Sequence, residues 1–367
     1  MKPQFTTRNN AACWALSALA AGAQAQGLSN EQVLQSWQRQ TGQAVWAQDG
    51  GQIEFHGAVT LDAYGNKVQV PSGNPALTGL RDGDFARGVF KGDVRSTNAA
   101  QDTTYVQGVL TSTNDRGTQP RYASQLNSFQ MGRAGVGYQV AFGDVVAGYS
   151  TLSSNLGLRG LLGTKEVARL SVSGFAGTVA ESWEALSNKQ PLDFLPARTR
   201  YLRDVLGAKG EYKMGGGWSS FATVQRFDDR IGSATPLAGS PAPLDGNAVS
   251  LGAKYQTQAA QLALEYAHSQ STNGLTQAKA KGDAAVVDGS YRWQSFALRG
   301  GFHDLEPEFA SLAQSVAPGI RETYVGADWQ ITPELVWSTD LRDSITRLTG
   351  TNQRTELDSL SNRLAYN

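Results

Sequence analysis

The chain has 367 residues, with 32 Lys+Arg balancing 32 Asp+Glu, and only 17% of it is charged. Zero net charge gives no pointer to nucleic acid, and no apolar run beyond the N-terminus approaches the ~18 residues that a membrane helix needs. The mean hydropathy of −0.35 would suit a soluble protein, but a barrel strand spends only every second residue on lipid and escapes that test.

The first residues fall into three parts. Met1–Asn10 carries Lys2 and Arg8 and no acid. Ala11–Ala23 is apolar but too short to span a bilayer as a helix, and no amphipathic stripe interrupts it as in a buried helix. Ala23-Gln24-Ala25 forms an A-x-A site. Together they predict a signal peptide, residues 1–25, cleaved before Gln26. Cys13, the single cysteine, lies inside this segment. The mature chain is then expected to have no disulfide, thiol nucleophile or Cys-ligated metal.

Residues 26–98 read as a small periplasmic segment. Ser29-Asn30-Glu31 resembles a helix start, and Val33, Leu34 and Trp37 lie near helical spacing, which predicts a short helix over 30–41. Ile53–Leu61 alternates as a strand, with Tyr64-Gly65-Asn66 as a turn into Val68–Val70. Pro71–Gly88, rich in Gly, Pro, Asn and Asp, reads as a linker or exposed loop.

From about residue 100, taken here as the start of a domain spanning 99–367, strand-like runs of about ten residues repeat, joined by alternating short turns and longer polar loops. The clearest hairpin is Ala248–Gln270. Val249, Leu251, Ala253 and Tyr255 alternate with Ser250, Gly252, Lys254 and Gln256; Leu262, Leu264 and Tyr266 then oppose Ala263, Glu265 and Ala267. The form recurs through Ala285–Arg292, Phe296–His303, Tyr324–Gln330 and Leu335–Arg342. Aromatics gather near strand ends (Tyr255, Tyr266, Tyr291, Trp293, Trp329, Trp337), where an interfacial girdle would put them. Lys, Arg, Asp and Glu sit in mid-strand, which suits a wet lumen better than the dry core of a β-sandwich. The expected fold is therefore all-β, an antiparallel transmembrane β-barrel with roughly fourteen to sixteen strands in this region. The C-terminal Arg363-Leu364-Ala365-Tyr366-Asn367 puts its aromatic one place short of the end, which fits a degenerate closing signal or, the favoured reading, a truncated larger barrel.

Candidate chemistry is sparse. His56, His268 and His303 belong to no metal motif, and His268 and His303 read as rim residues at strand ends. No G-x-S-x-G elbow exists. Asp228-Asp229 and Glu306-Pro307-Glu308 lack calcium-loop spacing. No metal, cofactor or catalytic residue is expected, although spacing alone leaves a hydrolase using His268 or His303 open.

Met131–Gly163 stands apart. Gly143, Gly148, Gly157 and Gly160 permit close backbone approach or bulges, and Asp144 and Arg159 are placed to pair across the lumen wall. The stretch Gly143-Asp144 … Arg159-Gly160 resembles the Gly-Asp … Arg-Gly stretch of fimbrial ushers and similar large secretion barrels. The chain shows neither an usher-type plug nor the cysteine pair of some ushers. A strand-register device with one ion pair is the competing reading of the same residues.

The expectation is a Gram-negative outer-membrane barrel forming a pore or secretion channel, surrounded by outer-membrane lipid and passing a small solute or exported polymer. Lys209, Glu211, Lys254, Glu265, Arg292, Arg299 and Arg342 would line the passage, with Asp144 and Arg159 as lumen or register residues. A structural or adhesive protein with binding loops and a filled lumen is the alternative, and the hydrolase is third.

Overall fold

The structure is a computed structural model that describes residues 42–48, 51–68, 82–115, 123–187, 200–234, 241–313, 317–347 and 353–366. The signal segment and the helix expected over 30–41 lie outside the described residues.

Among the described residues seventeen strands form one sheet. They begin with β1 (Gly42–Gln48), β2 (Gly51–Asn66), β3 (Gly83–Thr97), β4 (Thr103–Thr113) and β5 (Ser124–Gly135). Next come β6 (Tyr138–Gly148), β7 (Asn155–Val167), β8 (Leu170–Val179), β9 (Arg203–Gly215), β10 (Trp218–Asp229) and β11 (Leu244–Gln256). The last are β12 (Ala260–Asn273), β13 (Lys279–Trp293), β14 (Phe296–Leu305), β15 (Ile320–Gln330), β16 (Leu335–Arg347) and β17 (Arg354–Tyr366). Successive strands pair antiparallel throughout, an up-and-down order. The fold is all-β, an antiparallel barrel of the outer-membrane type.

The two ends of the barrel differ. At one end the connections 136–137, 168–169, 216–217 and 294–295 are two-residue turns. Each holds left-handed backbone, at Gly137, Ala168, Gly216 with Gly217, and Gln294, the conformation that matches the twist of a hairpin. The other end carries the long connections 180–202, 230–243 and 306–319.

The two faces differ more sharply. Leu251 is 67% and Val249 50% exposed, whereas Ser250 between them is 3% exposed. The same inversion runs around the sheet, with Val59, Phe90, Val106, Leu161, Leu206, Val224, Val325 and Leu341 all pointing outward. An aromatic row of Tyr212, Trp218, Tyr291, Trp293, Trp329 and Trp337 marks the tight-turn end of the outer face. From Trp293 to Ala285 the outer face of β13 carries no charge. That is a height of about 20 Å at ~3.3 Å per residue and ~40° tilt. Beyond it Tyr266 donates its hydroxyl to Asp283 at 2.8 Å, and the outer face turns polar.

Two readings of residues 26–98 need correcting. β2 runs unbroken through Tyr64-Gly65-Asn66, which pair with Phe85, Asp84 and Gly83 and make no turn. β2 and β3 also continue the same ladder into β4, so the barrel sheet does not begin at 99. Glycines and exposed charges in these strands mimic a loop in composition, while alternation alone decides their pairing.

Candidate functional site

The inner face carries most of the charged residues that midstrand position had singled out. Lys209 Nζ lies 2.7 Å from Glu211 Oε2. The Phe221 ring sits between two ammonium groups, those of Lys209 and Lys254, each 5.2 Å from its centroid. Across the sheet, Arg299 binds Asp340 Oδ1 at 2.6 Å and also Asp328. Asp288 Oδ1 accepts the Tyr324 hydroxyl at 2.6 Å and lies 2.9 Å from His303 Nε2. Arg342 approaches Glu322 at 3.7 Å, and Arg292 is exposed near the tight-turn end. His56, buried on the same face, lies 2.9 Å from Asp93 Oδ2. His268 instead stands on the outer face beside Asp283, at 2.8 Å. Among the described residues no group of three His, Cys, Asp or Glu is placed to hold a metal.

The β6–β7 hairpin departs from the wall. Pairing of β5 with β6 stops at Gln130–Gly143, and pairing of β7 with β8 begins only at Arg159–Thr178. The distal hairpin, residues 144–158, is therefore ladder-paired to itself and to neither neighbouring strand. The break falls on a glycine row, with Gly143 opposite Gly160 and Gly160 opposite Gly177. Gly143 has φ +122°. A Cβ at Gly160 would overlap the Ala176 carbonyl oxygen, and one at Gly143 the Phe129 carbonyl oxygen. Only glycine lets the backbones meet this closely.

Beyond that row the hairpin crosses the lumen. At its tip Ser150 donates Oγ–H to Glu265 Oε1 at 2.6 Å, and the Leu152 amide donates to Oε2 at 3.1 Å. Leu152 is fully buried against Ala267, Ala284, Val286, Leu305 and Phe309 of the β12–β14 side. The β14–β15 connection comes inward to meet it. Ser154 and Leu312 form a parallel bridge, and the Ala310 amide donates to Ser269 Oγ at 2.9 Å. Leu312 packs with Ala147, Tyr149, Leu156, Phe175 and Phe227 on the opposite side. A cavity of about 370 Å³ lies beside the hairpin tip, bordered by Tyr149, Ser150, Phe221, Lys254 and Glu265.

Asp144 and Arg159 do pair, with Nε 3.3 Å from Oδ1 across the β6–β7 ladder, but on the side of the wall away from the lumen. They stand on the outer face with Phe129 and Phe142, because the odd-numbered β6 residues Ala141, Val145 and Ala147 take the inner side. The wall gap left by the hairpin is covered from outside by residues 180–187, which end in a 3₁₀ turn, Glu184–Ser187. Trp183 donates Nε1–H to Asp144 Oδ2 at 2.9 Å and packs edge-on to Phe129. Arg159 donates to the Ala180 and Glu181 carbonyls. The stretch that resembles ushers is, in this chain, the hinge of the folded-in hairpin.

Sequence reasoning missed Leu152, Leu312, Phe309 and Trp183. One signal was present: Val145, Ala147, Leu156 and Leu158 make the inner face of this hairpin apolar, unlike that of β11–β12.

Among the described residues, fold and site together define a barrel with an apolar outside, a charged inside and a hairpin folded into its lumen. The chain is similar in fold to OmpT of Vibrio cholerae expressed in the outer membrane, at 13% identity over 87% of this chain and 97% of that one, with a TM-score of 0.43. The trimer form of in-vitro folded OmpT aligns at 14% identity over 86% and 97%, TM-score 0.43. A Rh. blastica porin mutant aligns at 14% over 86% and 99%, TM-score 0.39. No protein-family model and no curated protein sequence matches the chain.

Proposed function

We propose that the chain is exported to the outer membrane and forms a non-enzymatic, water-filled passage for small hydrophilic solutes, narrowed by the β6–β7 hairpin. The observation that carries this reading is the inversion of the wall. Charged and hydrogen-bonding groups fill the inner face, while an apolar band about 20 Å high with an aromatic border faces outward. A soluble protein would bury that band, and the cost of leaving it in water, at ~25 cal/mol per Å², is removed by lipid. Lys209, Lys254, Glu211 and Glu265 beside the hairpin would set which ions pass.

The dry contacts of Leu152, Phe309 and Leu312 inside the barrel favour a second reading, in which the lumen is filled and the long loops do the binding. A secretion channel for an exported polymer rests on the usher resemblance alone and would require the hairpin to leave the lumen. Purified protein in planar bilayers separates these readings. Discrete conductance steps that grow with salt concentration are expected of the pore, whereas a silent membrane under all salts would sink it in favour of the filled barrel.

A further inference from the structure

Once β6 and β7 leave the wall, the amides of β5 lose their ladder partners above Gln130. Two side chains take the place of the missing strand. Phe129 N–H donates to Asp144 Oδ2 at 2.6 Å, and Leu126 N–H donates to Glu184 Oε1 at 2.7 Å. Asp144 belongs to the hairpin and Glu184 to the 180–187 segment, and Trp183 joins the two through its bond to Asp144. The Trp183 ring also packs against Phe142 of the hairpin at 6.2 Å and lies under the Arg159 guanidinium at 5.9 Å. Ala185, at the centre of the 3₁₀ turn, is 1% exposed, so the segment is seated and not draped over the gap.

We infer that Trp183 and Glu184, outside the lumen, are positioning residues that set the width of the passage by keeping the hairpin folded in. The inference rests on the pore reading. Two conformations compete for the same amides. With the clamp in place, carboxylates satisfy Leu126 and Phe129, and the hairpin has no edge to return to. Without Glu184 the half-buried Leu126 amide loses its acceptor, and without Trp183 the Asp144 carboxylate that holds Phe129 loses its tether. Re-pairing with the hairpin is the nearest remedy. The glycine row supplies the pivot, because backbones at Gly143 and Gly160 meet no Cβ as the hairpin swings. Displacing the hairpin into the wall would withdraw Leu152 from the lumen and widen it.

The test compares wild type, Trp183→Ala and Glu184→Ala in planar bilayers, each also carrying Ser154→Cys and Leu312→Cys in a background with Cys13→Ser. Ser154 and Leu312 are bridge partners, at a spacing a disulfide can span, so oxidation locks the tip inside. Both single variants should conduct at least about twofold more than wild type, with added open-channel noise. Oxidising the cysteine pair should return them to the wild-type level, and reductant should restore the increase. Wild-type conductance in folded variants overturns the inference, as does an increase that survives the oxidised lock. Variants that fail to fold even when locked also overturn it, because the segment would then support the wall and not the hairpin. A silent wild-type protein would instead count against the pore reading itself.

Discussion

Two hairpins with similar alternation end in different places. β11–β12 stays in the wall, paired along its length to β10 and β13, and its inner face carries Ser250, Lys254, Glu265 and Ser269 beside the small Ala248 and Ala267. The distal half of β6–β7 leaves the wall, and its inner residues are Val145, Ala147, Leu156 and Leu158. A wall strand faces water on its inner side and needs polar groups there, while a strand inside the lumen packs against other protein and buries apolar ones. Between these two hairpins the polarity of the inner face separates wall from plug, and the glycine row marks where β6–β7 leaves the wall.

That contrast can be broken by single substitutions. The largest effect is expected for Gly160→Val, whose Cβ meets the backbone of Ala176 and Gly177. It should cost more than about 4 kcal/mol and prevent assembly of a folded barrel, checked by electrophoretic heat-modifiability. Gly148→Ala, where a Cβ meets nothing within 4 Å, should fold normally. Leu152→Ala should come next, losing about 2–5 kcal/mol in urea unfolding, because a fully buried leucine leaves a cavity between the two inward segments. The same variant should raise single-channel noise.

Leu251→Arg tests the opposite face of the well-behaved hairpin. A cation in the lipid-facing band should cost about 2–4 kcal/mol in folding into vesicles. If the cost were near zero, that face would not meet lipid. The smallest effect is expected for Ser250→Ala, which removes one hydrogen bond to Thr223, 2.8 Å long and buried in the inner wall. About 1 kcal/mol is expected, with conductance unchanged.

Legibility followed the locality of each signal. Alternation in Val249–Tyr255 and Leu262–Tyr266 exposes which face is apolar, and turn residues such as Gly216-Gly217 announce a reversal, so the hairpins could be placed from sequence. β2 and β3 were harder, since Gly65, Gly83, Gly88 and Gly92 weaken the pattern and suggest loop. Asp144 and Arg159 were legible as a pair but not as to side. That depended on the inner side being taken by Val145 and Ala147.

The amino-acid sequence by itself determined that the chain alternates with period two, that its reversals are tight at one set of turns and long at the other, and which barrel face is apolar. Each is a property of residues within a few positions of one another. Only the tertiary structure decided that one hairpin crosses the lumen, that the β14–β15 connection meets it at Leu312, and that Trp183 and Glu184 close the wall behind it. Those contacts join residues far apart in the chain, and a strand has the same local pattern whether its edges meet neighbouring strands or side chains from another loop.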